Sequence, residues 1–182
     1  MRRLSKGEID VAIEDHDLRL DPKRWSSFWS AFIHAVRNAA DHGLESPDER
    51  ASGGKSERGH LSLRTLARGN NFVVEIEDDG RGIDWNALGD RARRLGIPAG
   101  SDAEIREALF HDGVTTSQHV SEISGRGVGM GAVRAAARAM GGEVAIHSQS
   151  GHGTRVEITF PLGEDWIGAS PRTSRPSATA SL

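Results

Sequence analysis

The chain contains 182 residues, of which 36% are hydrophobic and 27% are charged, and its formal net charge is −3. These values are typical of a single globular domain; they lack the positive excess expected of a nucleic-acid-binding protein, and the absence of cysteine excludes disulfides and cysteine-ligated metals. The basic amino terminus has no apolar core of a signal peptide, and no apolar run reaches about 18 residues, so we expect a cytoplasmic protein without membrane insertion.

The amino-terminal part is predicted to form a strand and a long helix. Residues 8–13 alternate polar and apolar side chains, as in a half-buried strand. Asp21 is a good N-cap and Pro22 suits the first helical position, so a helix is predicted from there to about His42, where a glycine ends it. The apolar stripe of this helix, expected in the core, comprises Trp25, Phe28, Trp29, Phe32, Val36 and Ala39.

A connection and a β-hairpin are predicted next. Residues 46–59 are polar, charged and glycine-rich, and we expect them to form an exposed connection. The runs 60–67 and 72–78 alternate around an Asn/Gly-rich turn, which is typical of a hairpin. The loop that follows therefore begins directly at the end of a strand.

Two short helices are predicted after this loop. Asp84 is expected to cap the first. Ser101 and Glu104 form a capping box for the second, which ends near Phe110. The apolar face predicted for the first helix comprises Leu88, Ala92 and Leu95.

The remaining chain is predicted to form a mobile loop over 111–127, a helix over 128–140 and a hairpin of strands 143–149 and 154–160. The Ser/Pro-rich tail, 163–182, is expected to be disordered. About five strands, grouped in hairpins and separated by about four helices, favour a two-layer α/β (α+β) sandwich with one sheet and helices on one face.

The first polar cluster lies on the long helix and comprises His34, Arg37, Asn38, Asp41 and His42. His34, Asn38 and His42 are spaced by four, so an α-helix would place them on one face. An amide oxygen and two imidazoles in one stripe could hold a divalent cation and organise phosphates. For this cluster alone, however, a solvated helix face is the preferred interpretation.

The second cluster is the segment 78–82, Asp-Asp-Gly-Arg-Gly, which directly follows a strand. Asp78 could therefore point into the space above the sheet and accept a hydrogen bond from an exocyclic amine such as that of adenine. Gly80 and Gly82 would let the backbone approach a flat ring. The alternative is an ordinary Asp-Gly turn.

The third cluster, 124–130, has alternating glycines and opens a helix. Exposed N–H groups and a helix amino terminus suit a polyphosphate. The segment lacks the Gly-Lys-Ser/Thr of a P-loop and does not follow a strand as a dinucleotide-binding fingerprint does. A flexible hinge is the alternative interpretation.

The conjunction of the three clusters in this order resembles the GHKL ATPase superfamily and, within it, the CheA-like chemotaxis histidine kinases. The resemblance covers about residues 7–162 and implies a Bergerat-type ATP-binding fold with a mixed, mostly antiparallel sheet. Its matching stretches are HAVRNAADHGLESPDER, VEIEDDGRGID, ALFHDGVTTS, SGRGVGMGAVR and GHGTRVEITFPL.

The resemblance implies that Asn38 ligates Mg²⁺, that Asp78 binds adenine and that Gly80 and Gly82 shape the purine pocket of an ATP site. The lid over the γ-phosphate would comprise Phe110, Thr115, Thr116 and Ser117. The other positions that the resemblance assigns to the nucleotide are Asp41, Ile83, Ser124, Gly125, Arg126, Gly127, Val128, Gly129, Met130 and Thr154.

The implied activity is transfer of the γ-phosphoryl group of ATP to a histidine, with His34, Asn38 and His42 as the catalytic positions. His34 stands where ATP-hydrolysing relatives carry glutamate, which argues against efficient hydrolysis and favours a role in positioning phosphate. The implied partners are an Hpt-type phosphoacceptor domain, a downstream response regulator and receptor-coupling proteins.

Two departures from the family pattern leave alternatives open. Gly131 stands where relatives usually carry an acidic residue. The predicted domain, 1–162, has no phosphoacceptor or receptor-coupling module, so we expect either an excised domain or a protein that acts in trans. The alternatives are a non-catalytic nucleotide-binding or interaction module and an anti-sigma-type serine kinase.

Overall fold

The computed structural model describes residues 7–15, 20–114 and 129–163, and the backbone of 178–181. The strands are β1 Ile9–Glu14, β2 Gly59–Arg68, β3 Asn71–Asp78, β4 Glu143–Gln149, β5 Gly153–Pro161 and β6 Ala178–Ser181. The helices are α1 Pro22–Asn38, α2 Pro47–Ser52, α3 Trp85–Arg94, α4 Asp102–Ala108 and α5 Met130–Arg138, and a π-helical turn, Ala39–Gly43, extends α1.

The strands form one mixed sheet in the order β4-β5-β3-β2-β1-β6. β1 runs parallel to β2, whereas the other neighbours are antiparallel. The two predicted hairpins are present, as β2–β3 and β4–β5. The mixed, mostly antiparallel sheet predicted from the sequence is thus confirmed.

The structure adds β6 to the five strands expected. Residues 178–181 lie in the tail for which disorder is predicted, yet they pair antiparallel with β1. Their sequence, Ala-Thr-Ala-Ser, carries no apolar alternation that would indicate a strand. The strand is instead formed by backbone hydrogen bonds to an otherwise open edge, which sequence patterning does not reveal.

Helices α1 and α5 pack together on one face of the sheet over an aromatic core. Trp25 is 1% exposed, and its ring centroid lies 4.7 Å from that of Phe160 and 5.3 Å from that of Phe72. Of the predicted apolar stripe, Phe28 is also fully buried, and Trp29 packs against the cluster while half-buried. The prediction that these aromatic residues form core is confirmed.

A second, smaller core lies between α3 and α4. Asp84 caps α3 and the Ser101–Glu104 capping box starts α4, as predicted. The prediction that Leu95 joins the buried face is wrong, since this side chain is 51% exposed. The chain turns at Gly96, whose φ is +73°, and Ile97 packs against the core instead.

The exposed connection predicted over 46–59 is wrong in part because it contains helix α2. Ser46 accepts from the Glu49 N–H while the Glu49 carboxylate accepts from the Ser46 N–H, and Pro47 lies in the first turn. The sequence contains this capping box, but the glycines and charged residues around it favour the prediction of an exposed connection. Arg50 of this helix is 1% exposed.

None of the helices in the described ranges is both long enough and apolar enough to cross a membrane.

Candidate nucleotide-binding site

Asp78 ends β3 with its carboxyl group turned toward the helical layer and only 7% of the residue exposed. Its Oδ1 atom accepts a hydrogen bond of 3.0 Å from the Gly80 N–H. Burial raises the pKa of Asp78 to about 6, although backbone hydrogen bonds from Gly80 and Thr154 oppose the shift. A carboxylate has about four lone-pair positions, so it can still accept from a bound amine.

The glycines around Asp78 allow three backbone segments to approach one another closely. A Cβ atom on Gly80 would overlap the carbonyl of Gly43, and one on Gly82, whose φ is +68°, would overlap the carbonyl of Gln149. A Cβ atom on Gly153 would overlap the carbonyl of Asp78 itself. Close approach of backbone to backbone is therefore required at these three glycines.

The β4–β5 turn supports the loop that follows Asp78. The Oγ atom of Ser148 accepts from the Ile83 N–H at 2.8 Å and lies 2.9 Å from Oγ1 of Thr154. Thr154 pairs with Asp78 across the sheet. The indole of Trp85 donates to the Ser148 carbonyl at 3.3 Å. Ile83 and Thr154, both implied by the resemblance, are thus joined through Ser148, which the sequence analysis did not select.

A cavity of about 470 Å³ opens beside Asp78. Its lining includes Ser148, Gly153 and Thr154, together with Arg106 and two histidines, His147 and His152. Both histidines are exposed, as expected of surface residues, yet they lie at this cavity. The volume is in the range of small-molecule sites.

The predicted stripe of His34, Asn38 and His42 extends from α1 into the π-helical turn. His34 and Asn38 are half-buried, whereas His42 is exposed and lies in the π-helical turn. This turn closes with the Leu44 N–H bonded to the Ala39 carbonyl, five residues back. The π turn thus carries His42 at the end of the predicted stripe. π-helical turns occur frequently at functional sites.

The π turn connects α1 directly with the Asp78 loop. The Arg81 N–H donates to the Gly43 carbonyl at 2.8 Å, and the Asp78 carboxylate lies 3.2 Å from the position that a Cβ on Gly43 would occupy. Asp41, half-buried, lies in the same turn. The first two predicted clusters are therefore adjacent in space.

The third cluster is described only at its end. Gly129 is the N-cap residue of α5 and Met130 is its first residue. Phe110 is half-buried beneath the Arg134 guanidinium, whose central carbon lies 4.0 Å from the ring centroid. The other predicted lid and phosphate-loop residues, Thr115, Thr116, Ser117, Ser124, Gly125, Arg126, Gly127 and Val128, lie outside the described residues.

Gly131 has a physical requirement of its own in this structure. A Cβ atom at this position would overlap the carbonyl oxygen of Phe110, so α5 begins in close contact with the end of α4. The sequence prediction left any role of a carboxylate here in doubt. The contact explains why a residue without a side chain is accommodated.

No three His, Asp or Glu side chains among the described residues are arranged to hold a cation. Mg²⁺ usually takes one or two protein oxygens and completes its shell with phosphates and water. The amide oxygen of Asn38 fits that chemistry for an ion that arrives with a nucleotide.

Residues 27–164 match the family model described as histidine kinase-, DNA gyrase B-, and HSP90-like ATPase. The chain belongs to this ATPase family. The matched residues include Asp78 with the loop that follows it, and the polar cluster of α1. The family predicted from the sequence is therefore confirmed.

Curated relatives of this ATPase domain include several chemotaxis proteins. The chain is 38% identical over 167 residues to the gliding motility regulatory protein of Myxococcus xanthus, covering 88% of this chain and 22% of that protein. It is 33% identical over 161 residues to the chemotaxis protein CheA of Bacillus subtilis, covering 85% of this chain and 24% of that protein. The chain thus spans about a quarter of the length of these relatives.

Solved structures of the same fold include histidine kinases. The catalytic domain of the histidine kinase ThkA superposes with a TM-score of 0.54 at 19% identity, over 87% of this chain and 82% of that one. The blue-light activated histidine kinase EL346 of Erythrobacter litoralis gives 0.54 at 20% identity, over 86% and 36%. These similarities establish the fold.

Proposed function

We propose that residues 1–162 are the ATP-binding catalytic domain of a CheA-like two-component histidine kinase. The buried Asp78 carboxylate, which lines a cavity together with Ser148, Gly153 and Thr154, carries this proposal. The CheA relatives, at 32–38% identity over most of the chain, support the histidine-kinase class. We further propose that the protein acts in the cytoplasm.

Asp78 is the group that selects adenine in this proposal. The backbone N–H groups of Gly80 and Thr154 use part of its acceptor capacity, and the remaining lone pairs can accept from the exocyclic amine of the base. A pKa of about 6 leaves the group mostly ionised at pH 7, and a charged acceptor strengthens that hydrogen bond. The cavity of about 470 Å³ is large enough for a nucleoside moiety.

The triphosphate would lie toward α1 and the amino terminus of α5. Asn38 would hold Mg²⁺ with its amide oxygen, and the metal ion would neutralise charge on the phosphate oxygens. Gly129 and the N–H groups of the first turn of α5 would face the phosphates. His34 would position the γ-phosphate.

The reaction proposed is in-line transfer to a histidine of a separate Hpt-type acceptor domain. The bond between the γ-phosphorus and the β,γ-bridging oxygen breaks, ADP leaves, and a bond forms from phosphorus to an imidazole nitrogen of the acceptor. Such transfer depends mainly on positioning and charge neutralisation. The acceptor would then supply a response regulator, and receptor-coupling proteins would control the kinase.

The direct test is to incubate the purified chain with γ-labelled ATP, Mg²⁺ and the isolated phosphoacceptor domain of a chemotaxis kinase. We expect labelled acceptor that loses its label in acid but keeps it in alkali, as phosphohistidine does. An Asn38→Ala variant should lose the Mg²⁺-dependent part of ATP binding, whereas a Ser30→Ala variant on the exposed side of the same helix should keep it.

Three other results would replace the proposal. ATP binding without transfer to the acceptor would indicate a nucleotide-binding or interaction module. Alkali-labile label on a serine of a partner protein would indicate an anti-sigma-type serine kinase. A folded chain that binds no ATP would refute the assignment of the cavity.

A further inference from the structure

A network of ion pairs lies beneath the loop that follows Asp78. Arg50 of α2 donates from Nη2 and Nη1 to the two carboxylate oxygens of Asp79, at 2.7 and 3.1 Å. Its Nε donates to the Ser56 carbonyl at 2.6 Å, and Nη1 also contacts Glu45 at 3.2 Å. These bonds engage four of the five N–H groups of the guanidinium, whose side chain is 1% exposed.

Lys55 completes the network from the same side. Its ammonium group donates to the carbonyls of Asp79 and Gly80, at 2.8 and 2.7 Å, and to the Glu45 carboxylate at 2.8 Å. These three bonds use all three donors of the group. Two of the three acceptors are backbone carbonyls directly after Asp78.

The carbonyl bonds fix the orientation of two successive peptide planes. In a trans peptide the N–H points opposite to the C=O. Holding the Asp79 carbonyl toward Lys55 therefore directs the Gly80 N–H the other way, where it reaches Asp78 at 3.0 Å. Holding the Gly80 carbonyl directs the Arg81 N–H to Gly43 at 2.8 Å.

A purely structural ion-pair cluster is the simpler interpretation, and it accounts for the contact of Arg50 with Asp79. The two cations balance Glu45 and Asp79, but buried ion pairs contribute little net stability because desolvation offsets their attraction. A stabilising role also does not explain why Lys55 bonds the carbonyls of Asp79 and Gly80, the two peptides that follow Asp78. These contacts are therefore better explained by a role in orienting the Asp78 loop than by a contribution to stability.

We propose that Lys55 and Arg50 are positioning residues for the nucleotide base, which orient the Asp78 carboxylate toward the exocyclic amine of a 6-aminopurine by fixing the Asp79 and Gly80 peptides. This inference rests on the proposed nucleotide site. Neither side chain needs to touch the nucleotide. Each acts through the loop.

The test compares ATP with purine riboside triphosphate, which lacks the exocyclic amine, as Mg²⁺ complexes bound to the full chain. The affinity ratio of the two isolates the contribution of the amine. Lys55→Met is expected to lower ATP affinity at least tenfold and purine riboside triphosphate affinity less than twofold, so that the ratio approaches one. A general loosening of the domain would weaken both nucleotides alike and leave the ratio unchanged.

Arg93→Met is the matched control. Arg93 also joins a carboxylate, Asp90, to a backbone carbonyl, that of Ala99, but on α3 and away from Asp78. It should leave the affinity ratio at the wild-type value. If Lys55→Met does not fold, Lys55→Gln, which has a shorter side chain and two N–H donors instead of three, should lower the ratio by a smaller factor.

The outcomes separate the two proposals. A folded Lys55→Met or Lys55→Gln protein with the wild-type affinity ratio overturns the positioning role and leaves the ATP site intact. A wild-type chain that binds neither nucleotide overturns the proposed function itself. A wild-type ratio near one shows that no group reads the exocyclic amine, and also overturns the positioning role.

Discussion

Replacing Asp78 by asparagine is expected to stabilise the nucleotide-free protein at neutral pH while it weakens ATP binding. Most substitutions of buried residues destabilise, so this expectation is unusual. Its basis is the cost of burying a charged carboxylate, which raises the pKa of Asp78 from 3.8 to about 6. Asparagine has nearly the same shape and carries no charge.

The difference between the unfolded and folded pKa values of Asp78 sets the size of the stabilisation and its pH dependence. At roughly 1.4 kcal/mol per pKa unit, it corresponds to about 3 kcal/mol. Because the folded-state pKa lies above the unfolded value, folding favours the protonated form. The resulting stability is fully present below pH 3.8 and is lost as the pH rises to about 6. The advantage of Asp78→Asn should therefore appear between these two pH values and remain constant above them.

ATP binding should respond in the opposite direction. The side-chain oxygen of the new asparagine is expected to accept from the Gly80 N–H, as Asp78 Oδ1 does at 3.0 Å. The amide nitrogen then faces the cavity and presents donors to the amine of adenine. Loss of a hydrogen bond to a charged group, about 1.5–3 kcal/mol, lowers the affinity roughly 10- to 100-fold.

Urea denaturation at pH 7.5 and pH 4.5, together with calorimetric titration of Mg-ATP, measures both effects. Asp90→Asn, at an exposed carboxylate of α3, is the control and should change the free energy of unfolding by no more than about 0.5 kcal/mol. An Asp78→Asn protein that is less stable than wild type at pH 7.5 would refute the reasoning. So would a stability difference that is the same at the two pH values.

Three further substitutions test individual contacts, each by urea denaturation. Gly131→Ala should destabilise by about 1–3 kcal/mol because its methyl group overlaps the Phe110 carbonyl. Trp25→Ala should cost about 3–5 kcal/mol because it empties the centre of the aromatic core. Ser148→Ala should cost about 1–3 kcal/mol and weaken ATP binding, since it leaves the Ile83 N–H without its acceptor.

Each of these substitutions has a matched control in the chain. Gly53→Ala places its methyl group in ordinary van der Waals contact, Trp29→Ala removes a half-buried ring, and Ser52→Ala removes an exposed hydroxyl. Every control substitution should lower the free energy of unfolding by less than the substitution that it is paired with. Equal losses within a pair would mean that the contact named for that pair is not the cause.

The features that the sequence predicted are those encoded within a few residues. Asp84 caps α3 and Ser101 caps α4 because each side chain bonds an N–H three residues ahead. The hairpins and the position of Asp78 at the end of β3 follow from alternation and turn residues. For the same reason, the spacing of the aromatic residues on α1 correctly predicted that they form core.

The features that it missed depend on partners distant in the chain. Arg50 and Lys55 lie in a segment whose charge and glycine content predict exposure, and only Asp79 and Gly80 explain their placement. Likewise, the π turn that extends α1 and carries His42 has no local signal in the sequence. The need for glycine at position 131 is explained only by the nearby Phe110 carbonyl.

The strand order also has a consequence for how the protein is made on the ribosome. Asp78 of β3 pairs with Thr154 of β5, a partner that leaves the exit tunnel long after β2 and β3 can form their hairpin. Pairing across such a sequence separation is slow, and β3 has an open edge until β5 arrives. The cavity wall from β4 and β5 does not exist before then, so a nascent chain that ends before these strands has no complete pocket for a nucleotide to stabilise.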